Sequence, residues 1–531
     1  MDMKTNQLNG AESLVETLLA AGIDTCFANP GTSEMHLVGA LDRYSRMRCV
    51  LGLFEGVVTG AADGYARMAG RPAASLLHLG PGLANGIANL HNARKAGTPM
   101  LSIVGDHATY HRQYDAPLTS DIEGLARPVS HWVRTSMRAE DLGADAAAAV
   151  AASRAGGGAV ATLIVPADVA WNSGGQPAGG RTTPAHAPAI DEAAIAKAAA
   201  MLRKDGAALF LAGPALLEPS LSVAGRIAQA TGCRLIGPTS AARARRGAGA
   251  VAVERVPYVV DRALALLSGV KQAVFCGMAE PVAFFAYPGK PSLVLPREAN
   301  KMTLGAKASE VAAALDMLAD RLGATSPVPA GRLLERGSTE PARGRLELEG
   351  VGRSIAALLP DDAILVDESI SASFKLLPAL KHTAPHDHLQ LTGGSIGIGL
   401  PLATGAAIAA PHRKTVCLQA DGSAMYTLQA LWTQARERAN VVTVLLANGT
   451  YATLHREFAN VGFGAPGPNA TAMIDLDKPD LDWVRLAEGM GVPATKADSL
   501  DAFNAAFAAA LKEDGPSLIV VSYAEAQAAA R

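Results

Sequence analysis

Two short polar clusters, Ala420-Asp421-Gly422-Ser423 and Asn448-Gly449-Thr450, are joined by an apolar stretch that reads first as helix and then as strand. TVCLQ predicts a strand ending at Ala420, and SAMYTLQALWTQARERA carries apolar residues at helical spacing. VVTVLLA predicts the next strand, ending at Asn448. Asp421 and Asn448 therefore fall at the carboxyl ends of successive strands of one right-handed βαβ unit. Open α/β sheets bind ligands at that edge. An Asp carboxylate, an Asn amide oxygen and a loop carbonyl can give three oxygens to an octahedral Mg²⁺, an ion that also keeps phosphate oxygens and water. The helix that opens at Asp421-Gly422 favours an anion, so a metal-bridged diphosphate satisfies both halves of the pattern. Asp-Gly and Asn-Gly taken singly are ordinary turn formers. Their pairing at adjacent strand ends is what favours binding.

The elements needed to present such residues recur along the chain. CVLGLF, ASLLHL, MLSIVGD and ATLIVP are short β-rich runs, as are ALFLAG, CRLIG, QAVFCG and SLVLP, and then AILVDE, TVCLQA, VVTVLLAN and SLIVVSY. Ala-rich amphipathic stretches alternate with them, the pattern of parallel sheets covered by helices on both faces. Stretches 172–188 and 324–345 are rich in Gly, Pro, Ser and Thr and read as linkers. The expectation is α/β: three successive doubly wound parallel-sheet domains, at 1–175, 188–324 and 345–531.

Composition limits the functions available. The 531 residues are 49% hydrophobic and 18% charged with a net charge of −2, and no basic face speaks for nucleic acid. The one basic cluster, Arg243, Arg245 and Arg246, reads as a solvated loop. Five cysteines without a CxxC pair read as buried small residues in a reducing compartment, not as a zinc site or disulfide framework. The first residues, MDMKTNQLNGAESL, are polar, and no apolar run is long enough to span a bilayer. A cytoplasmic protein is expected, with no membrane partner.

On four segments, NPGTSE, FEGVVTGAADGYAR, GGSIGIGLP and ADGSAMYTLQALW, the chain resembles the thiamine-diphosphate-dependent enzymes of the pyruvate decarboxylase and acetolactate synthase superfamily. Benzoylformate decarboxylases and acetolactate-synthase-like large subunits are the most similar branches. The diphosphate motif of that superfamily is GDG followed, some two dozen residues on, by NN; here Ala420 and Ala447 replace the first residue of each part. The resemblance implies Asp421 and Asn448 as side-chain ligands of Mg²⁺, with Ca²⁺ as a substitute, and Thr450 as a backbone ligand. Gly422 and Ser423 would take the diphosphate of the cofactor, with Asn448 and Thr450 beside it.

The same resemblance assigns Glu55 to the ring of thiamine diphosphate, where a buried carboxyl group can share a proton with a ring nitrogen and so activate the cofactor. Ile396 matches the apolar wedge between the two cofactor rings, and Gly394 a backbone contact to the aminopyrimidine. His78 matches an active-site His that polarises a carboxylate or shuttles a proton. Thr32 stands where a relative has a substrate-contacting Ser. His107 and His111 fall near the position of a His pair in pyruvate decarboxylases, although the adjacent pair itself is absent. Ala286 stands in place of a middle-domain His of benzoylformate decarboxylase, and Glu457 in place of an aromatic residue.

The implied activity is decarboxylation of a 2-oxo acid through a carbanion/enamine intermediate, followed by aldehyde release or by acetolactate-synthase-like carboligation. A homodimer or homotetramer with active sites at the subunit interface is implied as well. FAD stays open as a further cofactor of the synthase branch, although nothing in 188–324 demands it; a CoA-thioester lyase ranks lower, because nothing marks an ADP pocket. The competing class is a catalytically silent, cofactor-binding regulatory subunit, against which the retention of Glu55 speaks.

Overall fold

The computed structural model describes residues 7–179 and 190–524. Residues 180–188 of the first expected linker, and the opening of the expected domain at 188–324, lie outside the described residues.

Among the described residues eighteen strands form three sheets. The first contains β1 (Thr25–Asn29), β2 (Arg48–Leu51), β3 (Ala73–Leu77), β4 (Met100–Asp106), β5 (Trp132–Thr135) and β6 (Val160–Pro166). Its order is β2-β1-β3-β4-β6-β5, parallel throughout. The chain continues through β7 (Ala207–Leu211), β8 (Arg234–Gly237), β9 (Ala244–Arg246), β10 (Glu254–Arg255), β11 (Gln272–Cys276) and β12 (Asn300–Thr303). All of these except β9 make the second sheet, in the parallel order β10-β8-β7-β11-β12. The third adds β13 (Ile364–Glu368), β14 (His386–Gln390), β15 (Thr415–Ala420), β16 (Val441–Ala447), β17 (Ala494–Ala497) and β18 (Ser517–Ser522), in the order β17-β18-β16-β15-β13-β14-β9.

Side chains along each central strand alternate between two cores, as a period of two requires when both faces are covered. In β7, Leu209 and Leu211 enter one core and Ala208 and Phe210 the other. In β15, Val416 and Leu418 lie opposite Cys417. The fold is thus three successive doubly wound α/β units, as the β-rich runs and Ala-rich helices indicate.

Four local expectations are corrected. SLVLP is not a strand: it makes only an isolated bridge, Val282 with Leu293, and the edge of the second sheet is the later β12. Arg243, Arg245 and Arg246 are not a solvated loop, because β9 pairs antiparallel with β14, with Arg246 opposite His386. Arg243 there binds Asp387, and Arg245 binds Asp362. The helix expected from Ser423 onward is split into Asp421–Ala424 and Ala430–Glu437, with Thr427 in the break donating its hydroxyl to Gly397 O at 2.9 Å. Cys49 is exposed, whereas the other four cysteines are buried thiols.

The first and third units meet along two helices, Glu55–Ala69 and Gly399–Ala409. Glycine permits the contact: a Cβ at Gly64 would collide with Leu402 O, and one at Gly405 with Ala61 O. A fully buried ion pair sits in this seam. Arg67 binds both oxygens of Asp63, at 2.8 and 2.5 Å, and donates onward to Gln390 O at 2.8 Å and Ala242 O at 3.2 Å. A buried charge is tolerable when its donors are satisfied in this way. One side chain thereby ties the first unit to the segment leading into Gly394 and to the segment leading into β9.

Candidate active site

The parallel register of β15 and β16, with Ala420 opposite Leu446, brings Asp421 and Asn448 to one sheet edge. Asp421 is 3% exposed. Its Oδ1 accepts the Gly422 N–H at 2.8 Å, and its Oδ2 accepts those of Asn448 and Gly449 at 3.0 and 2.8 Å. Burial pushes this carboxyl above its ordinary value, while the three N–H groups pull it down. A nearby cation would remove that penalty. The Asn448 side-chain oxygen accepts the Thr450 N–H at 3.2 Å. Gly449, at φ +67°, makes the tight turn between them. The Thr450 hydroxyl is committed to Asp475 at 2.7 Å and its N–H to Asn448, which leaves its backbone carbonyl for other work.

A second carboxylate, absent from the sequence reading, organises this half. Glu368 ends β13 and is 1% exposed. Its oxygens accept N–H groups from Gly397, Ile398 and Gly399 at 2.8, 3.2 and 2.7 Å, which caps helix Gly399–Ala409. Gln419 Nε2 reaches Glu368 at 3.0 Å and Ser423 Oγ at 2.8 Å. The Ile396 loop and the Asp421 turn are thereby fixed to one another. The sequence signal was present, an acidic residue closing an apolar strand, but its meaning depends on the neighbouring strand β15.

The first unit supplies a different set. Glu55 begins its helix and is 8% exposed, with Oε2 accepting from Asn85 Nδ2 at 3.0 Å. His78 follows β3 and lies near Glu55 across Gly82, where an added Cβ would meet His78 Cβ at 3.3 Å and Glu55 Oε1 at 3.4 Å. Its Nδ1 pairs with the fully buried Glu34 at 2.7 Å. Glu34 also accepts the Ser33 hydroxyl at 2.7 Å and the Gly31 N–H at 2.8 Å. Ser33, 3.3 Å from His78 Nδ1, is the hydroxyl at the histidine, while Thr32 is exposed. His107 and His111 pack on one another at 5.3 Å, and neither hydrogen-bonds Glu55 or His78 among the described residues.

A cavity of about 850 Å³ opens between the second and third units. Gly394, Ile396, Ala286 and Glu457 line it, together with Phe374 and the aromatic cluster Tyr258, Phe284 and Phe285. The Tyr287 hydroxyl donates to Glu457 at 2.9 Å. Glu55, His78 and Thr32 do not line this cavity. Asn89 links the halves instead, donating to Gly56 O at 2.8 Å and Gly397 O at 3.4 Å.

Oxygen donors only, from a carboxylate, an amide and a backbone, suit Mg²⁺. Gly422 gives the cradle its shape, since a Cβ there would meet the Tyr451 ring. The residues therefore fit a diphosphate held through a divalent ion. An α/β scaffold with that turn, a capped glycine loop and a buried Glu at a helix start defines a class of cofactor-dependent enzyme, and comparison with known proteins gives the class its name.

The chain belongs to the thiamine pyrophosphate enzyme family. Residues 8–127 match the family's N-terminal TPP binding domain and residues 375–521 its C-terminal TPP binding domain. It is 50% identical, over 97% of this chain and 99% of the other, to a candidate acetolactate synthase large subunit, IlvX, of Mycobacterium tuberculosis. It is 31% identical to benzoylformate decarboxylase of Pseudomonas aeruginosa, over 95% and 97% of the two chains. A solved thiamine diphosphate-dependent 4-hydroxybenzoylformate decarboxylase of Rhodococcus jostii superposes with a TM-score of 0.86 at 26% identity, covering 98% of this chain and all of the other. Among the described residues no helix is long and apolar enough to cross a membrane.

Proposed function

We propose that this protein uses thiamine diphosphate and Mg²⁺ to decarboxylate a 2-oxo acid and to join the resulting fragment to a second carbonyl, with simple aldehyde release as the competing outcome. Asp421, the Asn448 amide oxygen and the Thr450 carbonyl hold the metal in this reading, and Gly422 and Ser423 take the diphosphate. Ile396 and the Gly394 backbone support the rings. Bound thiamine diphosphate supplies the electron sink for the electron pair left as CO₂ departs. Glu55 holds a proton at the ring nitrogen, and Asn85 fixes the carboxylate by binding its other oxygen. Glu34, bound to His78 Nδ1, orients the ring so that Nε2 meets the substrate.

The observation that carries the preference for ligation is the cavity wall beside Ile396, formed by Ala286 and the Tyr287–Glu457 pair. A methyl group at 286 relays no proton, and burial with the bond to Glu457 pushes the Tyr287 hydroxyl up to about 12, so its proton is held and the bound fragment survives longer for a second carbonyl to capture. The 50% identity to a candidate acetolactate synthase large subunit points the same way. A second reading, an aryl 2-oxo acid decarboxylase, is favoured by the Tyr258, Phe284 and Phe285 cluster and by Phe374 on that cavity. Side-by-side turnover of pyruvate and benzoylformate with Mg²⁺ and thiamine diphosphate, with ligated product and aldehyde both quantified, separates the two. Rapid benzaldehyde formation without ligated product selects the aryl enzyme. Two chains per site is the assembly that fits, since the Glu55 half lines no part of this chain's own cavity.

A further inference from the structure

One wall of the cavity holds a feature that the reaction above does not use. Arg246 of β9 lines it, and among the described residues its guanidinium has neither a carboxylate partner nor a hydrogen bond. Its nearest ionic influence is another cation: Arg255, also on the cavity wall, whose Nε donates to Thr239 O. Burial, with Arg255 adding to it, brings the Arg246 guanidinium down to about 10. The surrounding groups do not relieve it. His386, opposite in the β-pair, is held down to about 3 by burial, with His388 and Arg246 adding to that. His388 lines the cavity, fully enclosed, with Nε2 making no hydrogen bond and standing 3.6 Å from Asp367 Oδ2.

Asp367 is the acidic group of this corner, and it is already engaged. Its Oδ1 accepts the Ser369 hydroxyl at 2.6 Å and the Ser369 N–H at 3.1 Å. Glu368 beside it is filled by three N–H groups and Gln419. Burial alone would raise the Asp367 carboxyl, but His388 and Ser369 outweigh it and keep it ionised. The Asp367 charge acts on Arg255, drawing its guanidinium back up against the effect of burial, and no acidic group does the same for Arg246 on the wall. Arg246 is half-buried and opens onto the cavity; a guanidinium with reduced access to water and no protein partner carries a cost that a ligand can relieve, and its planar fork matches a carboxylate.

We propose that Arg246, with Arg255 and His388, forms a carboxylate-binding subsite, and that the substrate taken by this cavity is a 2-oxo acid bearing a second carboxylate at its far end. This rests on the 2-oxo acid reading above and names its substrate class. Within the corner of Arg246, Arg255 and Asp367 one positive charge is in excess, and one negative charge matches it, so a carboxylate fits better there than a doubly charged phosphate. The cavity has the room, its volume lying in the upper part of the ~300–1,000 Å³ range of small-molecule pockets.

The test uses the full-length protein loaded with thiamine diphosphate and Mg²⁺, comparing wild type, Arg246→Gln and Arg246→Lys. Glutarate, an unreactive dicarboxylate, is titrated by calorimetry with acetate as control, and 2-oxoglutarate and pyruvate are compared in turnover. Glutarate should bind wild type and weaken at least tenfold in Arg246→Gln, with partial recovery in Arg246→Lys. Arg246→Gln should also lose at least tenfold more kcat/KM on 2-oxoglutarate than on pyruvate, mainly through KM. Without ligand, Arg246→Gln should melt at or above the wild-type temperature, because an uncompensated charge has gone; a structural arginine would do the reverse.

If added glutarate alters pyruvate turnover in wild type while 2-oxoglutarate is no better a substrate than pyruvate, the carboxylate comes from a separate molecule. That supports the subsite and overturns the substrate assignment. Failure of wild type to consume any 2-oxo acid defeats the functional reading, while glutarate binding still tests the subsite. Equal glutarate affinity in wild type and Arg246→Gln, or a lowered melting temperature in the variant, overturns the proposal.

Discussion

The two halves of the candidate site begin from the same device, a glutamate where a strand gives way to a helix, and use it in opposite ways. Glu368 turns its oxygens onto three backbone N–H groups of the following loop and helix, and its work is complete within the fold. Glu55 stands at the start of its own helix, and the one hydrogen bond to its carboxylate among the described residues comes from the Asn85 side chain. The Asp421 turn resembles the first case, with a carboxylate filled by backbone, and the Glu34–His78 pair resembles the second. Backbone-filled carboxylates cannot move without unpicking the fold, which suits a cradle for a fixed diphosphate. Carboxylates held by side chains keep an oxygen or a ring nitrogen for proton traffic.

Substitution should separate these roles. The largest effect is expected for Glu55→Gln: deuterium exchange at C2 of bound thiamine diphosphate, followed by quenched NMR, should slow by about 10³-fold, with melting temperature and cofactor affinity nearly unchanged. A comparable loss of stability would erase the contrast. Glu368→Ala should do the opposite. It strands buried N–H groups and should cost on the order of 3 kcal/mol in denaturant unfolding even without cofactor, and an unaltered midpoint would show that the loop is held by something else. Asp421→Ala should weaken Mg²⁺-dependent binding of thiamine diphosphate by about 100-fold, at the upper end of what disturbing a metal's surroundings costs. Titration with and without Mg²⁺ reads this, and equal affinity in the variant would remove Asp421 from the metal. The smallest effect is expected for Glu34→Gln, about tenfold in kcat/KM with cofactor affinity intact, because His78 loses orientation rather than identity. Wild-type turnover there would mean that Glu34 serves only packing.

Much of the frame was legible because period and punctuation suffice for it. Every central strand of the third sheet except β14 is a β-rich run bounded by turn residues, and the Asp421 and Asn448 edge follows from strand order alone. What escaped reading depends on partners distant in the chain. HDHLQ has charged and polar residues yet forms β14, fully buried, because β13 lies on one side and β9 on the other. AILVDE shows a strand but not that Glu368 will find the N–H groups of residues 397–399. Arg246 carries no local mark to distinguish it from Arg245, although one faces a cavity and the other an acidic surface residue.

The pairing of β9 on β14 also bears on what happens to this chain before it is fully folded. A sheet that ended at β14 would offer a row of unsatisfied backbone groups to any passing strand, the usual opening for intermolecular pairing. Three residues borrowed from the preceding unit close that row, and being short and rich in arginine they recruit no further strand. The guard is supplied from outside residues 345–524, so that stretch expressed alone should self-associate and precipitate, while a chain extended to include residues 244–246 should stay dispersed.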